Sequence, residues 1–403
     1  MKWPLKKFSE LYAVPSRNGL NRPSRVRGEG CKMVNMGELF ANDRIGDIAM
    51  ERVPMTDNEL EQCALAEGDL LFARQSLVLE GAGKCSYVLE VPEPTTFESH
   101  LIRVRLDRNK ADPLFYYYLF SSPYSGISTI VQQCAQAGIR GSELGNLEVI
   151  YPKPEAQRGI AATLGAYDDL IENNRRRMEL LEQSARMLYQ EWFVSLRFPG
   201  YEHTRVTNKT PFGWEKKTAY EAMDIMSGGT PKTSDTDYWD GEIPFYTPKD
   251  ASPGVWAAGC ERTITEAGLQ NCNSRLFQKG TVFISARGTV GKLNMAQCPM
   301  AMSQSCYALL GKNHLSQTFL FSAMQAAIDE LRQQAGGAVF DAIIIDTFKR
   351  IPFLIPEPKI INLFDEEIGT IFKQLENLTI QNQKLRVVRD LLLPRLMTGE
   401  ITT

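Results

Sequence analysis

Histidine is scarce in this chain: only His100, His203 and His314 occur in 403 residues. They form no H-E-x-x-H helix and no Cys/His cluster with zinc spacing, which excludes the common zinc hydrolases and zinc-finger readers. The eight cysteines (31, 63, 85, 134, 260, 272, 298 and 306) include no C-x-x-C pair. In a chain of this length they read as reduced, mostly buried thiols, which points to the cytoplasm. No apolar run approaches the ~18–20 residues of a membrane span. The lysines within Met1–Glu10 are not followed by the apolar stretch of a secretory signal. A basic excess is missing too. The net charge is −3, whereas a protein that grips duplex DNA alone carries a positive surplus. A nucleic-acid role therefore needs locally clustered cations, or a partner that shares the phosphate contacts.

Nucleotide-binding signatures also fail. Ala286-Arg287-Gly288-Thr289-Val290-Gly291-Lys292-Leu293 resembles a P-loop, but Ala286 replaces the first glycine and Leu293 the Ser/Thr that would hold magnesium. Glu80-Gly81-Ala82-Gly83-Lys84 fails likewise. There is no Asn/Asp-Pro-Pro-Tyr segment and no evident nucleophile–base pair. The sequence assigns no catalytic residue, metal ligand or cofactor to this chain.

What is present is a duplication. Ile150-Tyr151-Pro152-Lys153-Pro154-Glu155 recurs as Leu354-Ile355-Pro356-Glu357-Pro358-Lys359. Leu144, Leu147 and Ile150 recur as Phe348, Ile351 and Leu354 at the same spacing. Earlier matches are looser. Trp3–Lys7 resembles Trp214–Lys217, and Gly68-Asp69-Leu70-Leu71-Phe72-Ala73-Arg74 resembles Gly280-Thr281-Val282-Phe283-Ile284-Ser285-Ala286-Arg287. Gly83-Lys84 matches Gly291-Lys292, and the aromatic helical stretch 112–121 matches 315–324. The breaker cluster Pro199, Gly200, Asn208, Pro211 and Gly213 marks a boundary between the copies. The expected organisation is a mixed α/β globular part at 1–150, a helical region at 151–197, a second globular part at 198–355 and a second helical region at 356–403.

The helical regions carry the sharpest pattern. After Pro154, Ile160, Leu164, Tyr167, Ile171, Asn174, Met178, Leu181, Ala185, Leu188 and Trp192 step by three and four residues. After Pro358 the matching seam is Phe364, Ile368, Ile371, Leu375, Leu378, Asn382, Leu385, Arg389 and Leu392. A narrow apolar seam of this period, present twice, predicts two helices packed on each other as an antiparallel coiled coil with pseudo-two-fold symmetry. Setting Asn174 opposite Asn382 places Leu164 against Leu392, Ile171 against Leu385, Met178 against Leu378 and Trp192 against Phe364. The two amides would satisfy each other and fix the register. On this reading Asn174→Leu alone raises stability and loosens register. A helix of ~34 residues is roughly 50 Å long, which suits a spacer between two readers about one DNA turn apart, ~34 Å.

Two globular parts, each ending in a proline pair and a long helix, resemble the specificity subunit of Type I restriction–modification enzymes. The stretches that carry the likeness are 150–193 with Asn173-Asn174-Arg175-Arg176 and Glu191-Trp192-Phe193, Gly228-Gly229-Thr230-Pro231-Lys232 through Tyr238-Trp239-Asp240-Gly241-Glu242-Ile243-Pro244, and Leu391–Ile401. Glu155-Ala156-Gln157 is close to the Glu-Gln that often follows the first proline pair, while Lys359-Ile360-Ile361 departs from it. The Gly-Gly-Thr-Pro loop has no clean counterpart in the first copy, where Pro15 to Gly30 stands in its place. The resemblance implies a non-catalytic subunit that reads a bipartite site in double-stranded DNA. Its helices would dock two methyltransferase subunits, which would methylate adenine using S-adenosylmethionine. A restriction–translocase subunit would join for cleavage, and no membrane is involved.

The expected DNA contacts are forked and amide side chains on loops, which match base edges. Arg74, Gln75 and Lys84 lead in the first copy, with Arg287 and Lys292 as counterparts. The loops holding Arg17, Arg22, Arg25 and Arg27, and Thr230, Lys232 and Thr233, come next. Gln132, Gln133 and Arg140 form a further set, echoed by Gln333 and Gln334, and His100 matches Gln304. A coiled-coil scaffold joining two protein-binding domains remains the alternative, as does a specificity subunit of a fused, Type II-like system.

Overall fold

The computed structural model describes residues 3–133, 137–257, 259–334 and 342–401. Two compact units emerge, and they cut across the sequence division. One comprises Met1–Leu170 with Leu385–Thr403; the other is Ile171–Lys384. The cause is the long helices, each of which gives part of its length to each unit. In the first unit Leu396 and Met397 are buried with Ile160, Ala161 and Leu164. The indole of Trp3 donates to the Met397 carbonyl at 3.1 Å.

The first unit is built on a five-stranded sheet in the order Tyr12–Asn18, Leu101–Leu106, Leu70–Ala73, Cys85–Val88, Arg44–Ile45. Leu70–Ala73 is buried at every residue, as an unbroken apolar run covered on both faces should be. The aromatic helix Pro113–Phe120 packs in the same core as Phe8 and Phe72. Asp112 starts that helix by accepting from the Leu114 and Phe115 amides. A smaller sheet orders Glu51–Val53, Cys31–Val34 and Thr95–Phe97, with the centre strand antiparallel to one neighbour and parallel to the other.

The second unit repeats this plan. Its main sheet runs Met223–Ser227, Cys306–Gly311, Val282–Ser285, Leu293–Met295. Its smaller sheet runs Arg262–Ile264, Trp239–Tyr246, Ala301–Met302, again with one antiparallel and one parallel pairing. The breaker cluster before it forms a hairpin, with Asn208 and Lys209 both at positive φ, the geometry of a two-residue primed turn.

The long helices span Pro154–Tyr189 and Pro358–Met397. Within the second unit they run antiparallel. Asn174 Nδ2 donates to Asn382 Oδ1 at 3.0 Å, and the rings of Trp192 and Phe364 lie 5.8 Å apart. Asn174 is 1% exposed and Asn382 8%. Asn382 Nδ2 also donates to the Ile171 carbonyl at 3.3 Å. Leu375 and Leu378 are buried, and Met178 and Leu181 half-buried on the same core side. Within the first unit Leu164 is buried, with Leu392 packed against the same cluster. Leu385, assigned to the first unit, is half-buried. The seam residue Arg389 reaches Asp168 at 2.6 Å, and the Tyr118 hydroxyl donates to the same carboxylate at 2.5 Å.

The first helix ends in a π-helical turn, Gln190–Val194, closed by the Ser195 amide on the Gln190 carbonyl at 2.8 Å. This wider turn sets Phe193 among Trp214, Phe319 and Phe364, with ring centroids 5.8, 5.0 and 4.9 Å away. The departure at 359–361 also has a structural account. Buried Gln157 accepts from the Asp112 amide and donates to the Pro152 carbonyl, tying the first long helix to the aromatic helix. At the corresponding point of the second copy Ile361 is fully buried. There Asp365 accepts from the Ser316 and Thr318 hydroxyls instead.

Candidate nucleic-acid interface

Three segments converge in each unit, and main-chain hydrogen bonds define which residues correspond. In the first unit the Arg74 amide donates to the His100 carbonyl at 2.8 Å, and the Arg74 carbonyl accepts from Ile139 at 2.9 Å. In the second, the Ala286 amide donates to Ser305 at 2.8 Å and its carbonyl accepts from Ile343 at 2.9 Å. Arg74 therefore corresponds to Ala286, not to Arg287, and Arg287 corresponds to Gln75. By the same bonds His100 corresponds to Ser305 rather than Gln304. One residue of slip is invisible in a composition match because both strands end in Arg followed within ten residues by Gly-Lys.

The glycine–lysine turns do coincide. Gly83 donates to Ala73 and Ala73 to Lys84, just as Gly291 donates to Ser285 and Ser285 to Lys292. Gly83 and Gly291 sit at φ +81 and +76, where a side chain is strained. The two lysines play matching roles: Lys84 Nζ donates to the Phe40 carbonyl at 2.9 Å, and Lys292 Nζ to the Ala251 carbonyl at 3.2 Å. Lys84 also pairs with Asp43 at 3.2 Å. Each ammonium group thus gives a hydrogen bond within its own unit, and Lys292 remains exposed.

The Gly-Gly-Thr-Pro loop has a counterpart after all. Gly228 donates to Cys306 at 3.4 Å and Gly229 to Met302 at 3.1 Å, while Gly19 donates to Leu101 at 3.3 Å and Leu20 to Phe97 at 2.9 Å. A Cβ on Gly228 would stand 2.3 Å from the Ser303 carbonyl, and one on Gly19 would stand 2.1 Å from the Phe97 carbonyl. The shared element is a close main-chain approach, so only the glycine recurs and the rest of the loop is free to differ. In the second unit Trp239 donates to the Lys232 carbonyl at 3.2 Å and is stacked under Arg262 at 3.4 Å. Thr230 Oγ1 accepts weakly from the Gln304 amide. Lys232 and Thr233 are left exposed at the tip.

Two of the four arginines in the loop of the first unit are paired with carboxylates of the same unit. Arg22 pairs with Glu59 at 2.6 Å, Arg27 pairs with Glu51, and Arg17 donates to Gln62. The Glu59 carboxyl is held down to about 2 by the Thr56 amide and then the Arg22 guanidinium. Among the described residues, Arg25 and Arg287 are exposed and have no hydrogen-bond or ion-pair partner.

The amide set also gathers. Gln75–Ser76, Gln132–Gln133 and Ala137–Gly138 form one three-stranded sheet, and His100 Nδ1 lies 2.8 Å from Gln75 Oε1. Gln132 donates to Glu143 at 2.5 Å, and Glu143 also accepts from the Arg140 amide at 3.2 Å, leaving the Arg140 side chain exposed. Arg74 Nη1 makes only a long contact with the Ser99 carbonyl, 3.4 Å. Gln333 is no echo of Gln132: it lies in the last turn of the helix Gln317–Gln334. The side chains of Gln133 and Gln334 lie outside the described residues. Sequence reading also missed an exposed apolar run beside Gln75, with Leu77 88%, Val78 59% and Leu79 46% exposed. Period-based reasoning looks for buried faces and has no signal for such a tip.

Among the described residues no group of His, Cys, Asp and Glu is placed to hold a metal, and no helix is long and apolar enough to cross a membrane. Of the described cysteines, Cys63, Cys85 and Cys306 are buried, Cys31, Cys260 and Cys272 partly so, and Cys298 is exposed. Burial pushes the Cys260 and Cys306 thiols up to about 12, which keeps them unreactive. A cavity of about 580 Å³ in the second unit is lined by Tyr189, Phe321, Phe372, Glu182 and Arg186 among others. Burial raises the Glu182 carboxyl.

The sequence matches the family described as Type I restriction modification DNA specificity domain over residues 30–183 and again over 211–389. It is 24% identical over 363 residues to the Type I restriction enzyme MjaIX specificity subunit of Methanocaldococcus jannaschii, covering 86% of this chain and 81% of that one. It is 22% identical over 404 residues to the HindI specificity subunit of Haemophilus influenzae, covering 84% and 87%. The crystal structure of a Type I restriction–modification S subunit from M. genitalium shares the fold, with a TM-score of 0.57 at 16% identity over 98% of this chain and 96% of that one. With two copies of the family domain filling most of its length, the chain belongs to the specificity subunits of Type I restriction–modification systems, whose part is DNA recognition and not catalysis.

Proposed function

We propose that this specificity subunit reads a bipartite duplex target, one half-site per unit, and docks methyltransferase subunits along its long helices. The observation that carries this is the duplicated convergence of three segments, 17–27, 74–75 and 99–100 in one unit and 226–234, 286–287 and 304–305 in the other. Each cluster offers amides, hydroxyls and at least one uncommitted arginine, the groups that match base edges in the major groove. The partner methyltransferase, using S-adenosylmethionine, would modify adenine, and a restriction–translocase subunit would join the same cytoplasmic complex.

The charge balance supports a shared grip on the DNA. Most basic residues near the first cluster are spent on Glu51, Glu59 and Gln62. Phosphate contacts dominate duplex affinity, so a methyltransferase partner would supply many of them. The test is methylome sequencing of a methylation-free host that expresses this chain with its methyltransferase. The expected result is a split, adenine-methylated motif that disappears without this chain. A stable complex with an active methyltransferase and no motif would instead favour the scaffold alternative.

A further inference from the structure

The corrected correspondence sets Gln75 and Arg287 at the same point of the two units, immediately after a buried strand and beside the segment that carries His100 or Ser305. The chemistry at that point differs sharply between them. Gln75 is half-buried, and its Oε1 faces His100 Nδ1 at 2.8 Å. With Nδ1 protonated, this bond orients the amide and still leaves one lone pair and both amide hydrogens. That remaining set, one acceptor beside one donor, is the complement of adenine N6–H and N7. Exposed Leu77, Val78 and Leu79 follow, and such apolar groups suit the thymine methyl of A·T pairs.

Arg287 is exposed, with no partner among the described residues. It is followed by Gly288 at φ +78, where a backbone without a side chain permits close approach. Among the described residues Val290, in the turn that follows, is only 9% exposed. A free guanidinium fork is the complement of guanine O6 and N7. The nearby Lys84 and Lys292 each give a hydrogen bond to a carbonyl of their own unit and lack the planar guanidinium fork. Arg74 differs from both: its Nη1 is turned to the Ser99 carbonyl at 3.4 Å, and its equivalent in the second unit is Ala286.

We infer that Gln75 and Arg287 are the base-reading residues at equivalent points of the two units, Gln75 selecting an adenine and Arg287 a guanine. The inference rests on the reading of the chain as a two-half-site recognition subunit and adds which residue discriminates which base. The two half-sites then differ at corresponding positions for a reason visible in the fold: one framework carries an amide where its twin carries a guanidinium.

The experiment expresses the full chain with its methyltransferase in a methylation-free host and sequences the methylome for wild type, Gln75→Ala, Arg287→Gln and Arg287→Lys. In wild type, one half-site contains an adenine at the position that degenerates in Gln75→Ala, with the other half-site unchanged. The other contains a guanine that degenerates or changes to adenine in Arg287→Gln, with the first half-site unchanged. Each loss corresponds to a preference of about 10- to 100-fold. If Arg287→Gln abolishes methylation altogether, Arg287→Lys must restore it while weakening selection at that one guanine. Uniformly weaker methylation of an unchanged motif, restored fully by lysine, would make Arg287 a phosphate contact and overturn the assignment. A change in both half-sites, or in bases other than adenine and guanine, overturns it as well. Absence of any wild-type motif with an active methyltransferase refutes the two-half-site reading itself, and the assignment with it.

Discussion

The buried amide pair lends itself to a quantitative test. Replacing Asn174 by leucine adds an apolar side chain in a site 1% exposed, worth about 1.5–3 kcal/mol. It also removes the donor that serves Asn382 Oδ1 at 3.0 Å. Asn382 Nδ2 keeps the Ile171 carbonyl, so one buried oxygen is orphaned, at about 1–3 kcal/mol. These terms cancel, and the single substitution should change stability by less than about 1.5 kcal/mol. This revises the expectation, formed from sequence alone, that leucine at 174 is stabilising by itself. The double substitution Asn174→Leu with Asn382→Leu leaves no orphan and should gain about 1–3 kcal/mol, less whatever the larger side chains lose to crowding. The diagnostic quantity is the coupling in the four-member cycle, expected at about 1–3 kcal/mol in favour of the double. Urea melts followed by tryptophan fluorescence report it, because Trp192, Trp214, Trp239 and Trp256 all lie in the unit that holds the pair. Additivity within about 0.5 kcal/mol would mean that the two amides do not act as a pair, and the argument for register by mutual satisfaction would fail.

Arg389→Ala should destabilise the first unit by about 2–3 kcal/mol, because it strips a carboxylate of its cation; the Arg389 and Asp168 side chains are 26% and 10% exposed. Faster amide exchange over Leu385–Met397 is the readout, and replacing both residues by hydrophobes should recover most of the loss. Acid should loosen the arginine loop. The Glu59 carboxyl is depressed from 4.5 to about 2, so its contribution is present above pH 4.5 and lost as pH falls toward 2. Proteolysis of 17–30 should rise over that window in the parent chain, whereas Glu59→Gln should show the looser loop at every pH. Gly228→Ala, whose Cβ would sit 2.3 Å from a main-chain carbonyl, should lower the Tm of the second unit by about 3–10 °C. Gly369→Ala, with nothing within 4 Å of the added carbon, should raise it slightly through helix propensity.

The two long helices and the pairing of Asn174 with Asn382 were legible in the sequence, since a repeat of three and four residues survives any loop variation and the two asparagines single out one register. The duplication was legible where side chains carry it, as at the proline pairs, and illegible where the main chain does. Gly19 and Gly228 are equivalent because both press on carbonyls, but one glycine among thirty gives no signal. The pairing of Arg22 with Glu59 and Arg27 with Glu51 was also hidden. Those partners lie tens of residues apart and meet only through the smaller sheet and the helix Asp57–Cys63. Hence the loop that looked most basic in the sequence has half of its arginines paired with carboxylates, and the uncommitted Arg25 and Arg287 could not be told from the rest.

The first unit draws on both ends of the chain, with Trp3 bonded to Met397 and the second unit encoded wholly between. During synthesis the ribosome therefore finishes the second unit while the first still lacks its closing helix. Residues 385–397 emerge roughly 200 residues after Leu170, a wait on the order of 10–40 s at ordinary elongation rates. Through that interval Ile160, Ala161 and Leu164 have no Leu396 or Met397 to cover them. In that interval the first unit exposes apolar surface of the kind that chaperones bind, and a stop immediately before residue 385 leaves the second reader complete and the first open.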